Sequence, residues 1–340
     1  MSERTPLLGH RRRAPPVYAY PAVIAVLLLL LFPILLITHN LPNTNEAIWI
    51  RNLGAYAPLV PHRAPPLPDG CSVDQVSILH RHTARYPTPG AAVRLRKTLA
   101  KLVNATDSFF RTTDLTMKGW EFGELTQPGR EAARASGLDF RDYALPPFIR
   151  SSGGRRVLDS AHLFLSSLGR GNVDVIIPEG ESAGWVNELV ARLTDSAVVD
   201  GTCTNRTLDA NPATFPLGQR LFIDFTHDNE MVAIQAALGI NRRVPIQGSV
   251  PLREWVLSEI VPFGARWRFE RVVCGPQRER FIRMLINDRV MPVERPECGG
   301  TLCPLDAFVA SQKESRERDW AICVRDVMEK SNQDAYTWML

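Results

Sequence analysis

The chain has little net charge, and this limits the partners it can have. Its 340 residues include 40 Lys and Arg and 36 Asp and Glu, which leaves a formal net charge of +4. Residues 1–13 contain four arginines and one glutamate, so most of that excess lies at the N-terminus. The rest of the chain is close to neutral and lacks the broad basic surface that binds nucleic acid. Any preference for anions must therefore come from a local site.

A second absence is that of charged side chains between Ala14 and Asn45. The apolar part of this stretch, residues 17–38, is long enough to cross a bilayer as a helix. We expect an uncleaved signal anchor, with residues 1–16 as a cytoplasmic tail, because arginines before a membrane helix favour the cytoplasm. A cleaved signal peptide is the alternative, although residues 38–41 form a poor cleavage site.

This orientation predicts a single-pass, type II membrane protein. Everything after the anchor would lie in the lumen of a vacuole or endosome, or outside the cell. Residues 3–8 (Glu-Arg-Thr-Pro-Leu-Leu) look like an acidic dileucine sorting signal, which would direct the protein to an endosomal or vacuolar membrane. A disordered tail is the equally acceptable alternative for this short segment.

The chain also lacks any Cys-x-x-Cys pair and any histidine at ligand spacing, which argues against a zinc site. All six cysteines follow the predicted anchor: Cys71, Cys203, Cys274, Cys298, Cys303 and Cys323. An even number of cysteines in a lumenal or extracellular domain indicates three disulfides. Two N-glycosylation sequons, at Asn104 and Asn205, fit the same compartment.

The chain contains no internal repeat and no low-complexity tract, so we expect one globular domain after the anchor. Residues 39–70 are rich in Pro and Asn and are typical of a linker. The domain itself is predicted to span residues 71–324, followed by a C-terminal tail at residues 325–340.

Within this domain, one pattern occurs three times. Apolar runs at residues 76–79, 147–149 and 221–223 are each followed by a polar loop and then by apolar residues at helical spacing. Gly169 and Gly239 would end the second and third helices. Strand–loop–helix units of this kind build an α/β layered sheet, in which ligands bind beyond the carboxyl ends of the strands.

Other segments complete the predicted fold. Residues 173–177 are predicted to form a buried strand, and residues 185–193 a helix. Asn287 and Asp288 are predicted to form the turn of a hairpin between residues 281–286 and 290–293.

The three polar loops contain the residues best suited to chemistry. They are Arg81, His82 and Arg85 in the first loop, Arg150, Arg155 and Arg156 in the second, and His227 and Asp228 in the third. Because all three loops would open at the same edge of the sheet, we expect an anion site there. Guanidinium groups match phosphate oxygens with paired hydrogen bonds, and a helix N-terminus adds free N–H groups.

At this point the sequence resembles a known family. Residues 81–87, Arg-His-Thr-Ala-Arg-Tyr-Pro, resemble the R-H-G-x-R-x-P signature of the histidine acid phosphatases, which form branch 2 of the histidine phosphatase superfamily. The surrounding residues 71–90 are similar to the fungal phytases. Further similar segments follow in order: residues 52–58, 148–153, 185–189, 211–216, 226–229, 287–290 and 320–323. The resemblance implies a three-layer α/β/α sandwich of the phosphoglycerate-mutase-like type.

The resemblance also implies roles for individual residues. His82 would attack phosphorus and form a phosphohistidine, and Asp228 would protonate the leaving group. The phosphate oxygens would be held by Arg81, Arg85, Arg150 and His227. No metal and no cofactor is implied, since neutral imidazole is a competent nucleophile and arginines can stabilise the developing charge.

Taken one at a time, these residues would be ordinary loop charges, and only their combination points to catalysis. We expect Arg155 and Arg156 to be surface or domain-contact charges, and His80 to be structural. Among the cysteines, the resemblance implies the bridges Cys71–Cys274 and Cys298–Cys303, which leaves Cys203 with Cys323.

The sequence departs from the family at two places. Thr83 stands where the signature has glycine, and its Cβ would crowd the phosphate loop if that loop needs a conformation reserved for glycine. Residues 173–180 run almost directly into residues 184–188, whereas fungal relatives have a long helical insert there that forms a cap over the active site. The helical cap is therefore expected to be largely absent. A genuine short form, a splice variant and an incomplete gene model would all give this pattern.

We therefore expect an acid phosphomonoesterase whose substrates include inositol phosphates, as the phytase resemblance implies. The main alternative is a membrane-anchored pseudo-phosphatase that retains an anion-binding site without turnover. A phosphate-transferring mutase is disfavoured by the predicted lumenal setting and disulfides. The sequence gives no indication of the oligomeric state.

Overall fold

The structure is a computed structural model that describes most of the chain after residue 49. It describes residues 50, 52–105, 117, 119–141, 143, 147–169, 182–201, 206–240, 256–293, 298 and 300–313. The predicted anchor at residues 17–38 and the predicted strand at residues 173–177 lie outside these ranges. In the ranges just given, no helix has both the length and the apolar character needed to cross a membrane.

In the described elements, each of the first three strands is followed by one or more helices, and four further strands come later in the chain. The strands are β1 (Cys71–Arg81), β2 (Phe148–Ser151), β3 (Leu221–Thr226), β4 (Arg266–Cys274), β5 (Glu279–Ile286), β6 (Arg289–Met291) and β7 (Cys303–Pro304). The helices are α1 (Pro89–Ala105), α2 (Gln127–Asp139), α3 (Arg155–Leu168), α4 (Ser182–Thr194), α5 (Arg206–Asp209), α6 (Asp228–Leu238), α7 (Leu257–Ile260) and α8 (Leu305–Ser311). A short 3-10 turn, Gly54–Tyr56, precedes β1.

The seven strands form one mixed sheet in the order β2-β3-β1-β4-β5-β6, with β7 beside β5. Strands β2, β3 and β1 are parallel, and their carboxyl ends lie at the same edge of the sheet. Arg81 at the end of β1 pairs with Thr226 at the end of β3. The three predicted strand–loop–helix units are thus confirmed, and their loops open beyond this edge.

The sheet is covered on both faces, because side chains alternate across each strand. On one face, Val76 and Ile78 of β1 pack with Phe164 of α3. On the other face, Leu79 belongs to a cluster with Leu189 of α4 and further residues of α6, β4 and β5. The predicted three-layer α/β/α sandwich is therefore confirmed.

Two of the predicted helices end where glycine was expected to stop them. Gly169 after α3 and Gly239 after α6 adopt φ angles of +79° and +68°, the left-handed conformation that closes many helices. Helix α1 packs less fully than its apolar spacing suggests. Ala92 is buried, but Leu95, which follows it at helical spacing, is 41% exposed.

Two disulfides and one turn complete the described fold. Cys71 at the start of β1 is bonded to Cys274 at the end of β4, and Cys298 is bonded to Cys303, as the resemblance implied. Cys203 and Cys323 lie outside the described residues. Asn287 and Asp288 form the predicted hairpin turn between β5 and β6, with φ angles of +51° and +66°.

Helices α2 and α3 cross very closely at Gly137. A Cβ atom placed on Gly137 would lie 2.2 Å from the carbonyl oxygen of Phe164, a distance that no packed structure tolerates. The close approach brings α2 against α3 beneath the loop that follows β1.

Replacing Gly137 with alanine should therefore push the two helices apart. We expect Gly137→Ala to lower the free energy of unfolding by about 1–3 kcal/mol, the usual cost of overpacking. Thermal unfolding of the purified chain measures this change. The matched control is Gly90→Ala in the first turn of α1, where a new Cβ would meet only the Arg94 Nη1 atom at 4.0 Å. Equal melting temperatures for the Gly137→Ala variant and the unmodified chain would show that the helices do not depend on this contact.

Candidate active site

The candidate site begins where β1 ends. The backbone N–H of Arg81 donates to the carbonyl of Ala265 (2.8 Å), and the N–H of His82 donates to the carbonyl of Thr226 (3.1 Å). The carbonyl of His82 in turn accepts from the N–H of Gly264 (3.1 Å). His82 therefore lies on a backbone that is fixed from both sides, between β3 and the loop before β4.

The guanidinium of Arg81 is buried and bound to three other parts of the chain. Its Nη1 atom donates to the carbonyls of Ala55 and Val261, the latter at 2.7 Å. Its Nη2 atom donates to the Asp228 carboxylate at 2.9 Å. The ring of Phe263 lies 4.6 Å from the guanidinium carbon. Burial lowers the pKa of Arg81 to about 10, against the opposing effect of Asp228, so Arg81 remains charged at neutral and acid pH.

The imidazole of His82 is buried, and one of its nitrogens has a partner. Its Nδ1 atom lies 2.8 Å from the carbonyl oxygen of Thr83. Since a carbonyl can only accept, Nδ1 carries the proton and Nε2 keeps its lone pair. Burial, together with the positive charges of Arg81 and Arg156, lowers the pKa of His82 to about 2. His82 is therefore neutral and able to act as a nucleophile even in acid.

His227 and Asp228 come from the start of α6, after β3. The rings of His227 and His82 lie 5.4 Å apart. Burial, followed by the charge of Arg156, lowers the pKa of His227 to about 4. Asp228 is the first residue of α6, and its side chain is 36% exposed. The carboxylate of Asp228 is therefore partly accessible to solvent.

Arg156 is brought to the same place by the first turn of α3. Its Nη2 atom lies 3.2 Å from His227 Nδ1. Its own pKa is lowered, first by burial and then by repulsion from Arg85. Arg156 was expected to be a surface or domain-contact charge; in the structure it is half-buried and contacts His227.

Arg81, Arg85 and Arg156 each have a buried hydrogen-bond donor without a partner. The Nε atom of each is buried and has no hydrogen-bond partner among the described residues. The charges of Arg85 and Arg156 also lower the pKa of Arg81, which shows that the three cations repel each other. Buried N–H donors are nearly always paired in native proteins. Arg192 and Arg268, which are ion-paired elsewhere in the described fold, also have a buried Nε without a partner. What distinguishes this site is that three cations that repel one another lie together near a neutral histidine, an arrangement that favours a bound anion.

Arg150, which the resemblance placed among the phosphate ligands, lies elsewhere. It is inside β2 rather than in the loop that follows, and its register partner is Asp224 of β3. Its Nε atom donates to Asp224 at 2.6 Å, and Nη1 donates to Glu188 of α4 at 2.8 Å. Arg192 of α4 completes this buried network at 2.6 Å from Asp224. The guanidinium of Arg150 is therefore held by carboxylates between the sheet and α4.

A signal in the sequence could have separated Arg150 from Arg156. Ligands bind beyond the carboxyl ends of parallel strands, so an arginine after the strand is better placed than one inside it. The other two expectations for this region agree with the structure. Arg155 is 79% exposed and contacts Glu124 at 3.3 Å. His80 is buried between Ser136 and the carbonyl of Arg81, and burial lowers its pKa to about 3, so its role is structural.

Thr83 fits the loop without strain. It is not among the described residues that have a positive φ angle, so the backbone at this position does not require glycine. Its side chain is buried against Ser160 of α3. The conformational objection raised by this departure from the signature therefore does not apply.

Comparison with known proteins gives a consistent assignment. Residues 72–175 and 181–287 match the family described as histidine phosphatase superfamily (branch 2). The chain is 27% identical to Phytase A of Aspergillus fumigatus over 401 positions, covering 76% of this chain and 86% of the relative. The alignment has more positions than this chain has residues, so the relative contains long segments without a counterpart here, as expected for a missing cap.

Other relatives match over shorter stretches. Phytase A of Aspergillus terreus is 40% identical over 156 residues, covering 42% of this chain. The chain spans 32% of that relative, and between 26% and 35% of the other Phytase A proteins that match in this way.

Among solved structures, the phytase from D. castellii superimposes with a TM-score of 0.56. It covers 79% of this chain and 86% of its own, at 19% identity, and therefore supports the fold. Because the family match covers more than half of the chain, and because fold and site agree with it, the chain belongs to the histidine phosphatase superfamily, branch 2, and within it is similar to the fungal phytases.

Proposed function

We propose that the chain is an acid phosphomonoesterase that works through a phosphohistidine at His82. In the first step, the lone pair on His82 Nε2 attacks phosphorus, and the bond from phosphorus to the ester oxygen breaks. The protonated carboxyl of Asp228 gives its proton to the departing oxygen, which leaves as an alcohol. The charge of the phosphoryl group is held by Arg81, Arg85 and Arg156, with His227 beside them.

In the second step, water attacks phosphorus and breaks the bond to Nε2. The Asp228 carboxylate takes a proton from this water, so the carboxyl group is restored together with neutral His82. Inorganic phosphate then leaves. A covalent intermediate divides one difficult displacement into two easier ones.

The observation that carries this proposal is a buried, neutral imidazole at His82 beside three arginines, Arg81, Arg85 and Arg156, whose charges repel one another and whose Nε donors lack partners among the described residues. A phosphoryl group has three equatorial oxygens over which charge spreads during transfer, and guanidinium groups are well suited to bind them. The neutral state of His82 supports the same conclusion, because a charged imidazole could not attack. The name of the relatives, phytase, makes phytate the first natural substrate to test.

The alternative of an inactive anion-binding protein rests on two features, Thr83 and the expected loss of most of the cap. The lack of backbone strain at Thr83 weakens that alternative. Turnover decides between the two, since an inactive protein with this site would still bind phosphate.

The first experiment compares phosphate release by the full chain and by its His82→Ala and Asp228→Asn variants near pH 5. Substrates are an aryl phosphate, whose leaving group needs little protonation, and phytate or glycerol phosphate, whose alkoxide leaving groups need it. We expect His82→Ala to abolish turnover of all of them. Asp228→Asn should lower turnover of the alkyl substrates by about 10²–10⁴-fold and that of the aryl phosphate much less, because general acid catalysis matters most for poor leaving groups.

Phosphate binding by a folded chain without turnover would instead support the inactive alternative. Equal losses for aryl and alkyl substrates in Asp228→Asn would remove Asp228 from the role of proton donor. The ratio of phytate to aryl phosphate turnover reports what the pocket selects in the absence of most of the cap.

The assignment of Arg156 is tested against its neighbour Arg155. We expect Arg156→Ala to lower kcat/KM by about 10²–10³-fold, the usual cost of removing one donor that stabilises transition-state charge. Arg155→Ala removes the same charge one residue away, from an exposed side chain, and should change kcat/KM by no more than about twofold. Similar losses in the two variants would mean that Arg156 acts only through the general positive charge of this helix end.

The pH dependence of kcat/KM tests the neutral nucleophile. In the substrate-free protein, the surroundings of His82 lower its pKa to about 2, so protonation of the nucleophile should not reduce kcat/KM between pH 7 and pH 3. The measurement uses an aryl phosphate and is corrected for ionisation of the substrate. An acid limb centred near pH 6.5, the ordinary value for histidine, would show that His82 is not held neutral by its surroundings.

A further inference from the structure

Thr83 and Ser160 make a buried contact that the phosphoryl-transfer steps do not use. The N–H of Thr83 donates to Ser160 Oγ at 3.2 Å, and Thr83 Oγ1 lies 3.4 Å from the same Oγ atom. Ser160 Oγ also lies 2.8 Å from the carbonyl oxygen of Arg156, to which it donates. Both side chains are almost completely buried.

The protons of this cluster can be assigned. A serine hydroxyl has one proton, and the carbonyl of Arg156 can only accept, so the proton of Ser160 is used there. Ser160 Oγ therefore accepts from both groups of Thr83, its backbone N–H and its hydroxyl. Glycine at position 83 would supply only the first of these two bonds.

The contact connects the nucleophile to an arginine of the phosphate site. The backbone carbonyl of Thr83 accepts a hydrogen bond from His82 Nδ1 and so fixes the orientation of the ring. The backbone N–H of Thr83 donates to Ser160 Oγ, and Ser160 Oγ donates to the carbonyl of Arg156 in the first turn of α3. A shift of the Thr83 backbone would therefore change the position of His82 Nε2 relative to the Arg156 guanidinium.

The methyl group of Thr83 also has a defined place. A Cβ atom placed on Gly264 would lie 3.4 Å from Thr83 Cγ2, so the loop before β4 passes near the methyl without crowding it. Gly264 has a φ angle of +76°, and its N–H donates to the carbonyl of His82. Thr83 is thus held between α3 and the loop that fixes His82.

From these contacts we propose that Thr83 and Ser160 are a positioning pair, which holds the His82 imidazole in line with the phosphoryl group bound by Arg156. The threonine is then an adaptation of this chain and does not damage the signature. The inference rests on the proposed phosphatase function, because the pair acts on the geometry of that reaction.

The test compares four single variants of the full chain, Thr83→Gly, Thr83→Val, Thr83→Ser and Ser160→Ala, and one double variant. Small displacements of reacting groups cost up to about 10²-fold in rate. We therefore expect Thr83→Gly, Thr83→Val and Ser160→Ala each to lower kcat by about 10-fold or more, with KM changed by less than about threefold. Thr83→Ser keeps the hydroxyl and should restore most of kcat. Combining Thr83→Val with Ser160→Ala should cost no more than Ser160→Ala alone, because both changes remove the same contact.

Ser166→Ala is the matched control. Ser166 lies on the exposed face of the same helix, where its hydroxyl donates to the carbonyl of Leu163 at 2.8 Å, and its loss should leave kcat unchanged. A purely structural role for Thr83 would lower the melting temperature while kcat per active site stayed constant.

The outcomes separate the positioning pair from the proposed function. A higher kcat in Thr83→Gly than in the unmodified chain would overturn the positioning pair and leave the phosphatase function intact. Unchanged kcat in Thr83→Val and Ser160→Ala would do the same. If neither the unmodified chain nor Thr83→Gly turned over any substrate, that result would contradict the proposed function itself, and the positioning pair with it.

Discussion

The buried guanidinium of Arg81 joins four parts of the chain at the active site. It belongs to the end of β1, and it binds the carbonyl of Ala55 in the segment before the sheet, the carbonyl of Val261 after α7, and the carboxylate of Asp228 on α6. These parts are far apart in sequence, so the site forms only when the whole sandwich has folded. The same bonds fix Asp228, the proposed proton donor, beside the residue that precedes His82, the proposed nucleophile. The geometry of catalysis thus depends on one buried cation with its Nε still unpaired.

Burying several cations around a neutral histidine costs electrostatic energy. Desolvation and mutual repulsion lower the pKa values of Arg81 and Arg156, and the same charges help to keep His82 unprotonated. A bound phosphate group offsets this repulsion and satisfies the unpaired donors. The site is therefore unfavourable when empty and favourable when an anion with several oxygens occupies it. In the proposed reaction, that difference would supply both the affinity for phosphomonoesters and the stabilisation of charge during transfer.

The sequence was sufficient to predict the strands and helices that position the site. It was not sufficient to predict the side-chain contacts within the site. The three strand–loop–helix units, the hairpin at Asn287 and two disulfides follow from periodicity, turn chemistry and family resemblance. The resemblance implied Arg150 as a phosphate ligand, whereas the structure has Arg150 inside β2, bound by carboxylates, and Arg156 beside His227. The end of β2 is the feature that the motif alone does not give. Thr83 could not be judged from sequence, since the decisive facts are its φ angle and the hydroxyl of Ser160, which lies 77 positions further along the chain. The predicted membrane anchor and the glycosylation of Asn104 and Asn205 remain predictions.

The central claim is that His82 forms a covalent bond to phosphorus, and trapping that intermediate tests it most directly. The full chain is mixed for milliseconds with a phosphorus-labelled aryl phosphate, quenched in base, where phosphohistidine survives, and digested for peptide mapping. We predict label on the peptide that contains His82, at up to one equivalent per active site, and none in His82→Ala. Turnover without label on that peptide, or label that persists in His82→Ala, would contradict the account.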